Sequence, residues 1–380
     1  MSPSIKRHLD LKSLLSKKSV FLFGPRQTGK TELIRQQFPD HKYYNLLDRG
    51  LYLRLQTDPT LIRKELTKKD KLIVIDEIQK IPELLDEIHL MIEENKINFL
   101  LTGSSSRSLK SKGVNLLGGR ARERHLHPFV MIELEEQFDL LKALDVGLIP
   151  SIYFSDAPVE DLQSYCGHYL KEEIAGEAKV RNIGAFSRFL EVAGLCNGQM
   201  INYSQIASDA QVPVSTTREY FQILYDTFLA TEVTAYNQTL KRKPITTSKF
   251  YFFDLGVARF LQKRRGLQEK SPEYGEAFEH YIFHELSAYC SYHQKEPVRY
   301  WRSTSQFEVD FIFDQRIAIE VKAKGVISPR DLKGLKALRE EELLEQFILI
   351  SNVATDYEED GIRVMNWKSF LSLLWSGHFS

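Results

Sequence analysis

The sequence lacks a long apolar run and a cysteine pattern, and each absence excludes a class of protein. A membrane span needs about eighteen consecutive apolar residues, and no segment approaches that length. The opening Met-Ser-Pro-Ser-Ile-Lys-Arg is not followed by the apolar region of a signal peptide. The three cysteines (Cys166, Cys196 and Cys290) are far apart and outside any metal-ligand spacing, which predicts core thiols rather than a disulfide or a zinc site. We therefore expect a cytoplasmic protein without membrane contact.

Net charge is also absent. The chain of 380 residues contains 51 basic and 51 acidic residues, so no global field attracts it to nucleic acid or to an anionic membrane. Any such contact must come from a local patch. The length exceeds one ordinary core and predicts two or three domains, and no internal repeat or low-complexity tract is present.

The most informative motif lies near the amino terminus. Residues 24–31 fit the phosphate-loop pattern G-x-x-x-x-G-K-[ST] without a mismatch, between an apolar run that predicts a strand and residues that open a helix. Its glycines permit a tight turn in which backbone N–H groups converge on phosphate oxygens. The sequence thus predicts a nucleoside triphosphate site formed by Gly24, Pro25, Arg26, Gln27, Thr28, Gly29, Lys30 and Thr31.

Two pairs of residues have distinct predicted roles in this site. Lys30 adds a charge for the β- and γ-phosphates, and the hydroxyl of Thr31 is a ligand for Mg²⁺. Asp76 and Glu77 follow the apolar run Leu72-Ile73-Val74-Ile75, as expected of acids at the carboxyl end of a buried parallel strand. We predict that Asp76 holds the magnesium shell and that Glu77 orients and deprotonates the attacking water.

Three further residues are candidates for the same chemistry. Thr102 and Ser104 end the next predicted strand and would sense the γ-phosphate or hold the water, although a Gly/Ser loop without nucleotide contact is an equal alternative. Arg120 follows two glycines and suits an arginine finger, acting in cis or in a neighbouring subunit of an oligomer. The alternative for Arg120 is a solvated charge or a salt bridge.

The series GPRQTGKT, YYNLLD, LIVIDEIQKIP, FLLTGSSS and LLGGRARERHLHPF resembles a family of prokaryotic AAA-superfamily ATPases. Members of that family carry a C-terminal domain similar to restriction endonucleases, and the resemblance spans nearly the whole chain. It implies ATP, with Mg²⁺, as the nucleotide that the first part binds and hydrolyses. The physiological task of most members is unsettled.

A second chemical signal lies near the carboxyl terminus. The segments Glu308–Phe313 and Ile317–Lys322 alternate like strands. We expect the apolar residues of the first segment, Val309, Phe311 and Phe313, to share one buried face with those of the second. This requires that Phe313 pair with Ile317 across three loop residues. This register sets Asp310 opposite Glu320, with Lys322 on the same face.

Two carboxylates and an ammonium on one face suit metal-dependent phosphodiester hydrolysis. Asp310 and Glu320 would bind a second Mg²⁺ or Mn²⁺, and Lys322 would stabilise charge or activate water. The trio resembles the D…E-x-K core of restriction-endonuclease-like nucleases, and Glu279 matches the acid those nucleases contribute from an earlier helix. Alternatives are a hairpin with ion pairs and a nucleotide-gated switch or scaffold that only recruits a partner. His280 and His284, one helical turn apart, suggest partly buried or solvated histidines more than a metal pair.

The middle of the chain is predicted to be helical. Residues 203–208 and 214–220 resemble a helix-turn-helix, with Thr216 and Glu219 at capping-box spacing and with Thr217, Arg218 and Gln222 outward. One outward cation favours a helical packing module over a DNA reader. The basic stretches 241–243 and 262–265 are either phosphate contacts, such as the wing of a winged helix, or solvated surface.

These patterns predict an α/β fold with three domains. Residues 1–150 would form a phosphate-loop parallel-sheet domain, residues 151–235 a helical or winged-helix-like domain, and residues 236–380 a restriction-endonuclease-like α/β domain. The first would bind ATP, and the last would bind or cut nucleic acid.

Overall fold

The computed structural model describes residues 5–67, 69–111, 117–174, 180 and 182–379. The described residues divide into two compact units: those from residue 5 to Pro128 together with Ile223–Leu229, and Phe129–Gln222 together with those from Ala230 to residue 379. A parallel sheet, a series of helices and a mixed sheet follow one another along the chain, so the predicted α/β class is confirmed.

The N-terminal unit contains a five-stranded parallel sheet with the order β2-β3-β4-β1-β5. Every residue of the strand before the phosphate loop is buried, as expected of a parallel strand covered on both faces. The strands are β1 (Ser19–Phe23), β2 (Lys42–Asn45), β3 (Leu72–Asp76), β4 (Asn98–Gly103) and β5 (Ala121–His125).

Helices cover this sheet, and two of them begin at aspartate caps: Asp10 accepts from Ser13 N at 3.2 Å and Asp48 accepts from Leu51 N at 2.7 Å. The helices are α1 (Leu11–Leu15), α2 (Lys30–Gln37), α3 (Arg49–Thr57), α4 (Leu61–Lys64), α5 (Leu84–Asn95) and α6 (Arg107–Ser111), with 3₁₀ turns at Ile78–Lys80 and Leu117–Gly119.

The middle of the chain is helical, as predicted. Its elements are α7 (Met131–Leu134), a 3₁₀ turn (Glu135–Gln137), α8 (Leu140–Val146), α9 (Pro150–Tyr153), α10 (Pro158–Ser164), a π-helix (Tyr165–Glu173), α11 (Ile183–Leu195), α12 (Tyr203–Ala210) and α13 (Val214–Asp226). Helix α13 begins two residues before the predicted capping box. Thr217, predicted to face outward, is buried, and its hydroxyl donates to Pro213 O at 3.2 Å.

The C-terminal part contains the antiparallel pair β6 and β7 and a six-stranded mixed sheet with the order β12-β13-β11-β10-β9-β8. The strands are β6 (Ala230–Val233), β7 (Lys249–Phe252), β8 (Arg299–Arg302), β9 (Glu308–Phe313), β10 (Ile317–Lys322), β11 (Gln346–Ser351), β12 (Tyr357–Glu359) and β13 (Ile362–Asn366). The helices are α14 (Leu255–Leu261), α15 (Pro272–His293), α16 (Lys333–Arg339) and α17 (Trp367–Trp375).

The predicted register of the β9–β10 hairpin is confirmed, because Phe313 pairs with Ile317 across three loop residues. The prediction that Val309 and Phe311 share a face is wrong. Val309 packs in an apolar cluster with Ile312, whereas the Phe311 ring lies 5.9 Å from that of Phe283 on α15. The pairing of β8 with β9 contains a register shift, which interrupts the strict alternation.

The chain does not pass from one compact unit to the other at the predicted domain boundaries, residues 150 and 235. The N-terminal unit ends at Pro128, and the last turn of α13 belongs to it. The reason is local: Ser106 N donates to Asp226 O at 3.0 Å, and the Phe228 ring stacks 5.4 Å from Phe23. The division into three domains stays a prediction.

Candidate functional site

The phosphate loop connects β1 to α2, and glycine is required at its first position. Gly24 has φ +150°, and a Cβ there would lie 2.5 Å from the Leu126 carbonyl oxygen. Gly29, with φ 93°, is the residue before α2, so the first backbone N–H groups of that helix point into the loop. Thr28 is fully buried and its hydroxyl donates to Pro25 O at 2.9 Å. The loop therefore has a fixed shape.

Lys30 lies inside this loop. Its Nζ donates to Gly24 O at 2.7 Å and to Pro25 O at 2.9 Å, and the residue is 7% exposed. Burial lowers the pKa of Lys30 to about 8, although Glu77 and Asp76 act in the opposite direction. The ammonium therefore lies among carbonyl oxygens that phosphate oxygens would replace.

Asp76 ends β3 and is the centre of a hydrogen-bond cluster. The hydroxyls of Thr102 and Tyr43 donate to its two carboxylate oxygens, and Thr31 Oγ1 lies 3.4 Å from Oδ2. Burial, and then the hydrogen bond to Asp76, raise the pKa of Tyr43. The strand order explains the contact with Thr102, because β4 lies between β1 and β3. Thr31 and Asp76 offer the hard oxygen ligands that Mg²⁺ prefers, so the donor set fits that ion.

Glu77 has a left-handed backbone, with φ 62° and ψ 45°. Such strain in a residue other than glycine is typical of functional sites. Gln79 Nε2 and Ser104 Oγ both donate to Glu77 Oε2, the second at 3.2 Å, and Glu77 N donates to Thr102 Oγ1 at 3.3 Å. Glu77, Thr102 and Ser104, predicted from separate segments, are therefore brought together.

Three residues of this site were not assigned from the sequence. Tyr43 lies in the quoted YYNLLD segment, and Gln79 lies two residues after Glu77, so proximity in sequence was the only signal. Arg7 gave no signal at all: its guanidinium donates to Thr28 O and to His127 O, both at 2.6 Å. It braces the loop against the end of β5.

Arg120 is not brought to this site. It precedes β5, whose first residue pairs with Ser19 at the amino end of β1, whereas the phosphate loop follows the carboxyl end of β1. Its Nε contacts Glu93 instead. The structure therefore excludes Arg120 as an arginine finger for its own nucleotide, because five residues of parallel strand separate the two edges. A role in a neighbouring subunit stays a prediction.

The C-terminal candidates converge on Lys322. Its Nζ lies 2.5 Å from Glu320 Oε1 and 3.7 Å from Asp310 Oδ2, and Asp310 also accepts from Val321 N at 2.8 Å. Glu320 is 7% exposed, and its Oε2 has no hydrogen-bond partner among the described residues. Burial and then Asp310 raise the pKa of Glu320 well above its usual range.

Glu279 faces the same cluster from α15. Tyr251 on β7 donates to its Oε1 at 2.6 Å. Burial, followed by the Asp310 charge, raises the pKa of Glu279 to about 7. Lys249, which the sequence did not suggest, is 4% exposed and lies 2.6 Å from Glu308 Oε1. Burial lowers the pKa of Lys249, but Glu279 and Glu308 outweigh burial and raise it overall.

No group of three or more histidine, cysteine, aspartate or glutamate side chains in the described part of the chain is arranged to hold a metal ion. His280 and His284 are not such a pair: their Nε2 atoms bond to Phe252 O at 2.7 Å and Phe129 O at 2.8 Å. Burial lowers the pKa of His280 to about 3. Both histidines are therefore structural.

The basic stretches engage acids of the same chain. Glu341 accepts from the backbone N–H groups of Lys241 and Arg242 at 2.8 and 2.9 Å, and the Arg242 guanidinium lies 2.5 Å from Glu340. Lys263 lies 2.9 Å from Glu191. Within the described residues, no helix is long and apolar enough to cross a membrane.

Family models match three consecutive parts of the chain. Residues 16–135 match an AAA domain, residues 137–268 match a domain of unknown function (DUF8612), and residues 274–370 match another domain of unknown function (DUF4143).

Two curated relatives are uncharacterized proteins of Mycobacterium bovis (Mb2031c) and Mycobacterium tuberculosis (Rv2008c). Each is 26% identical over 305 residues, a match that covers 77% of this chain and 66% of the relative, just under two thirds of its length.

Two solved structures also show a likeness. The Walker-type ATPase PABY2304 of Pyrococcus abyssi has 16% identity and a TM-score of 0.45, over 66% of this chain and 93% of its own. The ORC1 protein of Aeropyrum pernix, solved in complex with DNA, has 14% identity and a TM-score of 0.28, over 69% of this chain and 94% of its own. Together with the parallel sheet and the loop geometry, the family match over residues 16–135 shows that the N-terminal part of the chain is an AAA-like phosphate-loop domain.

Proposed function

We propose that the N-terminal unit binds ATP with Mg²⁺ and hydrolyses it. The observation that carries this proposal is the convergence of Lys30, Thr31, Asp76 and Glu77 at the carboxyl edge of one parallel sheet. A buried lysine, a hydroxyl beside a carboxylate and a second, strained carboxylate are the groups that phosphoryl transfer requires.

Each residue has a role in the proposed reaction. The loop N–H groups and the Lys30 ammonium bind the β- and γ-phosphates, once Nζ leaves the Gly24 and Pro25 carbonyls. Thr31 and Asp76 would hold Mg²⁺, which supplies charge neutralisation on the phosphates.

Glu77 accepts a proton from the attacking water, and Gln79 and Ser104 keep its carboxylate in place. Thr102 orients Asp76. Because chemistry here depends on position more than on covalent catalysis, these hydrogen bonds matter as much as the charges.

Calorimetry on the full chain tests this proposal. We expect saturable binding of MgATP to the wild type, loss of binding in Lys30→Ala, and normal binding by the control Lys12→Ala, which removes an exposed lysine. Glu77→Gln should bind MgATP yet hydrolyse it about 10²–10⁴ times more slowly. The control Glu94→Gln, on α5, should bind and hydrolyse MgATP like the wild type. Wild-type protein that is folded and binds no nucleotide would refute the proposal.

A second function is favoured by one observation at the C-terminal cluster. Glu320 Oε2 is buried without a partner beside Asp310, an arrangement that suits a cation ligand. Mg²⁺ uses one or two protein carboxylates with water and phosphate oxygens, so Asp310 and Glu320 suffice even without a third acid. We propose phosphodiester binding or cleavage there, with Lys322 stabilising negative charge and Glu279 as the neighbouring acid.

Labelled DNA and RNA incubated with Mg²⁺ or Mn²⁺ test this second function. We expect cleavage by the wild type and by Asp360→Ala, which removes an exposed aspartate of the same unit, but not by Asp310→Ala. Intact substrates with both metals would favour the alternative, a nucleotide-gated switch whose C-terminal part only recruits a partner.

A further inference from the structure

A groove of about 460 Å³ lies at the opposite edge of the parallel sheet from the phosphate loop. Its walls are the turn after α1, the end of α5 and the 3₁₀ turn before β5, and Asn98 at the start of β4 lies in its floor. Asn98 Nδ2 donates to Leu15 O at 2.9 Å and so ties the floor to the first wall. The groove is therefore built by elements of one compact unit and is separate from the nucleotide site.

Positive charge is concentrated in this groove. Among the described residues that line it, one carries a carboxylate, Glu93, and four are cationic, namely Lys17, Lys18, Lys96 and Arg120. Since the whole chain has no net charge, this excess is a local field.

Two of the four cations hold the walls together. The Arg120 guanidinium contacts Glu93, and Lys18 Nζ donates to Gly119 O at 3.0 Å. Lys17 and Lys96 are exposed, and no residue in the described ranges forms a hydrogen bond or ion pair with either ammonium. These two ammonium groups, on different walls, are thus available to a ligand.

The two glycines of the third wall, which precede Arg120, present only backbone to the groove. Gly119 has φ +79°, and a Cβ built on it would meet nothing within 4 Å, so its backbone borders open space. Gly118 has φ +54°, and a Cβ there would lie 3.0 Å from Arg120 Nη1. The two glycines therefore let a ligand approach the backbone and leave room for the guanidinium.

We propose that this groove binds the sugar–phosphate backbone of a nucleic acid. Cations on separate walls of a concave groove match the successive phosphates of a nucleic-acid strand. None of the described residues that line the groove carries an aromatic ring on which a base could stack, so the contact we propose is with phosphate and independent of sequence. Arg120, predicted from the sequence as a catalytic finger, belongs on this view to a polyanion site.

The size of the effect follows from counterion release. For duplex DNA the slope of log affinity against log salt changes by about 0.9 for each phosphate contact. At about 0.1 M salt, one lost contact therefore weakens binding about tenfold. The double variant Lys17→Gln with Lys96→Gln should lose about a hundredfold in affinity and about two units of slope.

The experiment measures fluorescence anisotropy of a labelled DNA duplex of about 20 base pairs, titrated with the full chain in EDTA at several salt concentrations. The control variant, Lys270→Gln with Lys333→Gln, removes two exposed lysines elsewhere. We expect the control to bind like the wild type and the groove variant to show the losses above, at an unchanged melting temperature. Equal affinity and slope in the groove variant would overturn the inference. Wild-type binding to phosphatidylserine vesicles but not to the duplex would also overturn it, because the groove would then serve a membrane.

Discussion

The burial of Lys30 has a consequence for nucleotide binding that can be measured by changing pH. The pKa of Lys30 is about 8 in the protein without nucleotide, because burial opposes the ammonium more strongly than Glu77 and Asp76 favour it. A bound triphosphate adds negative charge next to Nζ and raises that pKa. Binding is therefore coupled to proton uptake by Lys30 wherever the free protein has lost that proton.

The sign and size follow from this linkage. Below pH 8 the ammonium is already present, and affinity for MgATP does not depend on Lys30 titration. Above pH 8 the protonated fraction falls from about one half at pH 8 to about one eleventh at pH 9, so the dissociation constant should rise about fivefold, or about 1 kcal/mol, from pH 8 to pH 9 and about a further tenfold by pH 10. Near pH 8, about half a proton should be taken up per ATP bound.

Calorimetry at pH 7, 8 and 9 in buffers of different ionisation enthalpy measures both the affinity and the number of protons. Lys30→Arg is the control, because its guanidinium stays protonated throughout this range; whatever affinity it retains should not vary with pH. Wild-type affinity that is constant between pH 7 and pH 9, with no proton uptake, would refute the reasoning. Lys30 would then not be the group that meets the phosphates.

Three other predictions concern single groups. Tyr43→Phe removes a hydrogen bond to Asp76 and should raise the Mg²⁺ concentration for half-maximal ATP hydrolysis about tenfold, with little change in binding of ATP alone; an unchanged Mg²⁺ requirement would contradict this role. Gly24→Ala combines φ +150° with a 2.5 Å approach to Leu126 O, so urea unfolding should show a loss of at least about 1–3 kcal/mol, and wild-type stability would contradict the loop geometry. Burial lowers the pKa of His280 from the ordinary 6.5 to about 3, so as the pH falls the unfolded chain binds this proton first. Through this group the free energy of unfolding should decrease by about 2 kcal/mol from pH 7 to pH 5. His280→Gln should lack this part of the decrease.

Features that depend on adjacent residues could be predicted from the sequence. The phosphate loop, the strand ending in Asp76 and the β9–β10 register follow from short patterns of glycine and apolar residues, whose physical constraints act within one or two elements. The cluster of Asp310, Glu320 and Lys322 was predicted from that register and forms, although the alternation that was to place Val309 and Phe311 on one face is interrupted.

Features that depend on strand order could not be predicted in this way. Arg120 was assigned to the nucleotide because it follows glycines, yet only the parallel pairing of β5 with β1 shows that it lies at the other edge. Arg7 and Lys249 reach their partners across 120 and 59 residues of sequence, where no local pattern operates. Helical spacing predicted that Thr217 faces outward, but Thr217 is buried. The spacing within one helix does not show which other elements pack against it.

A structure of the full chain with Mg²⁺ and a non-hydrolysable ATP analogue tests the central claim most directly. We predict that Lys30 Nζ leaves the carbonyl oxygens of Gly24 and Pro25 for the β- and γ-phosphates, and that the metal lies between Thr31 Oγ1 and the Asp76 carboxylate. A complex in which Lys30 still bonds to those carbonyls, while the analogue is absent or lies elsewhere, would contradict it.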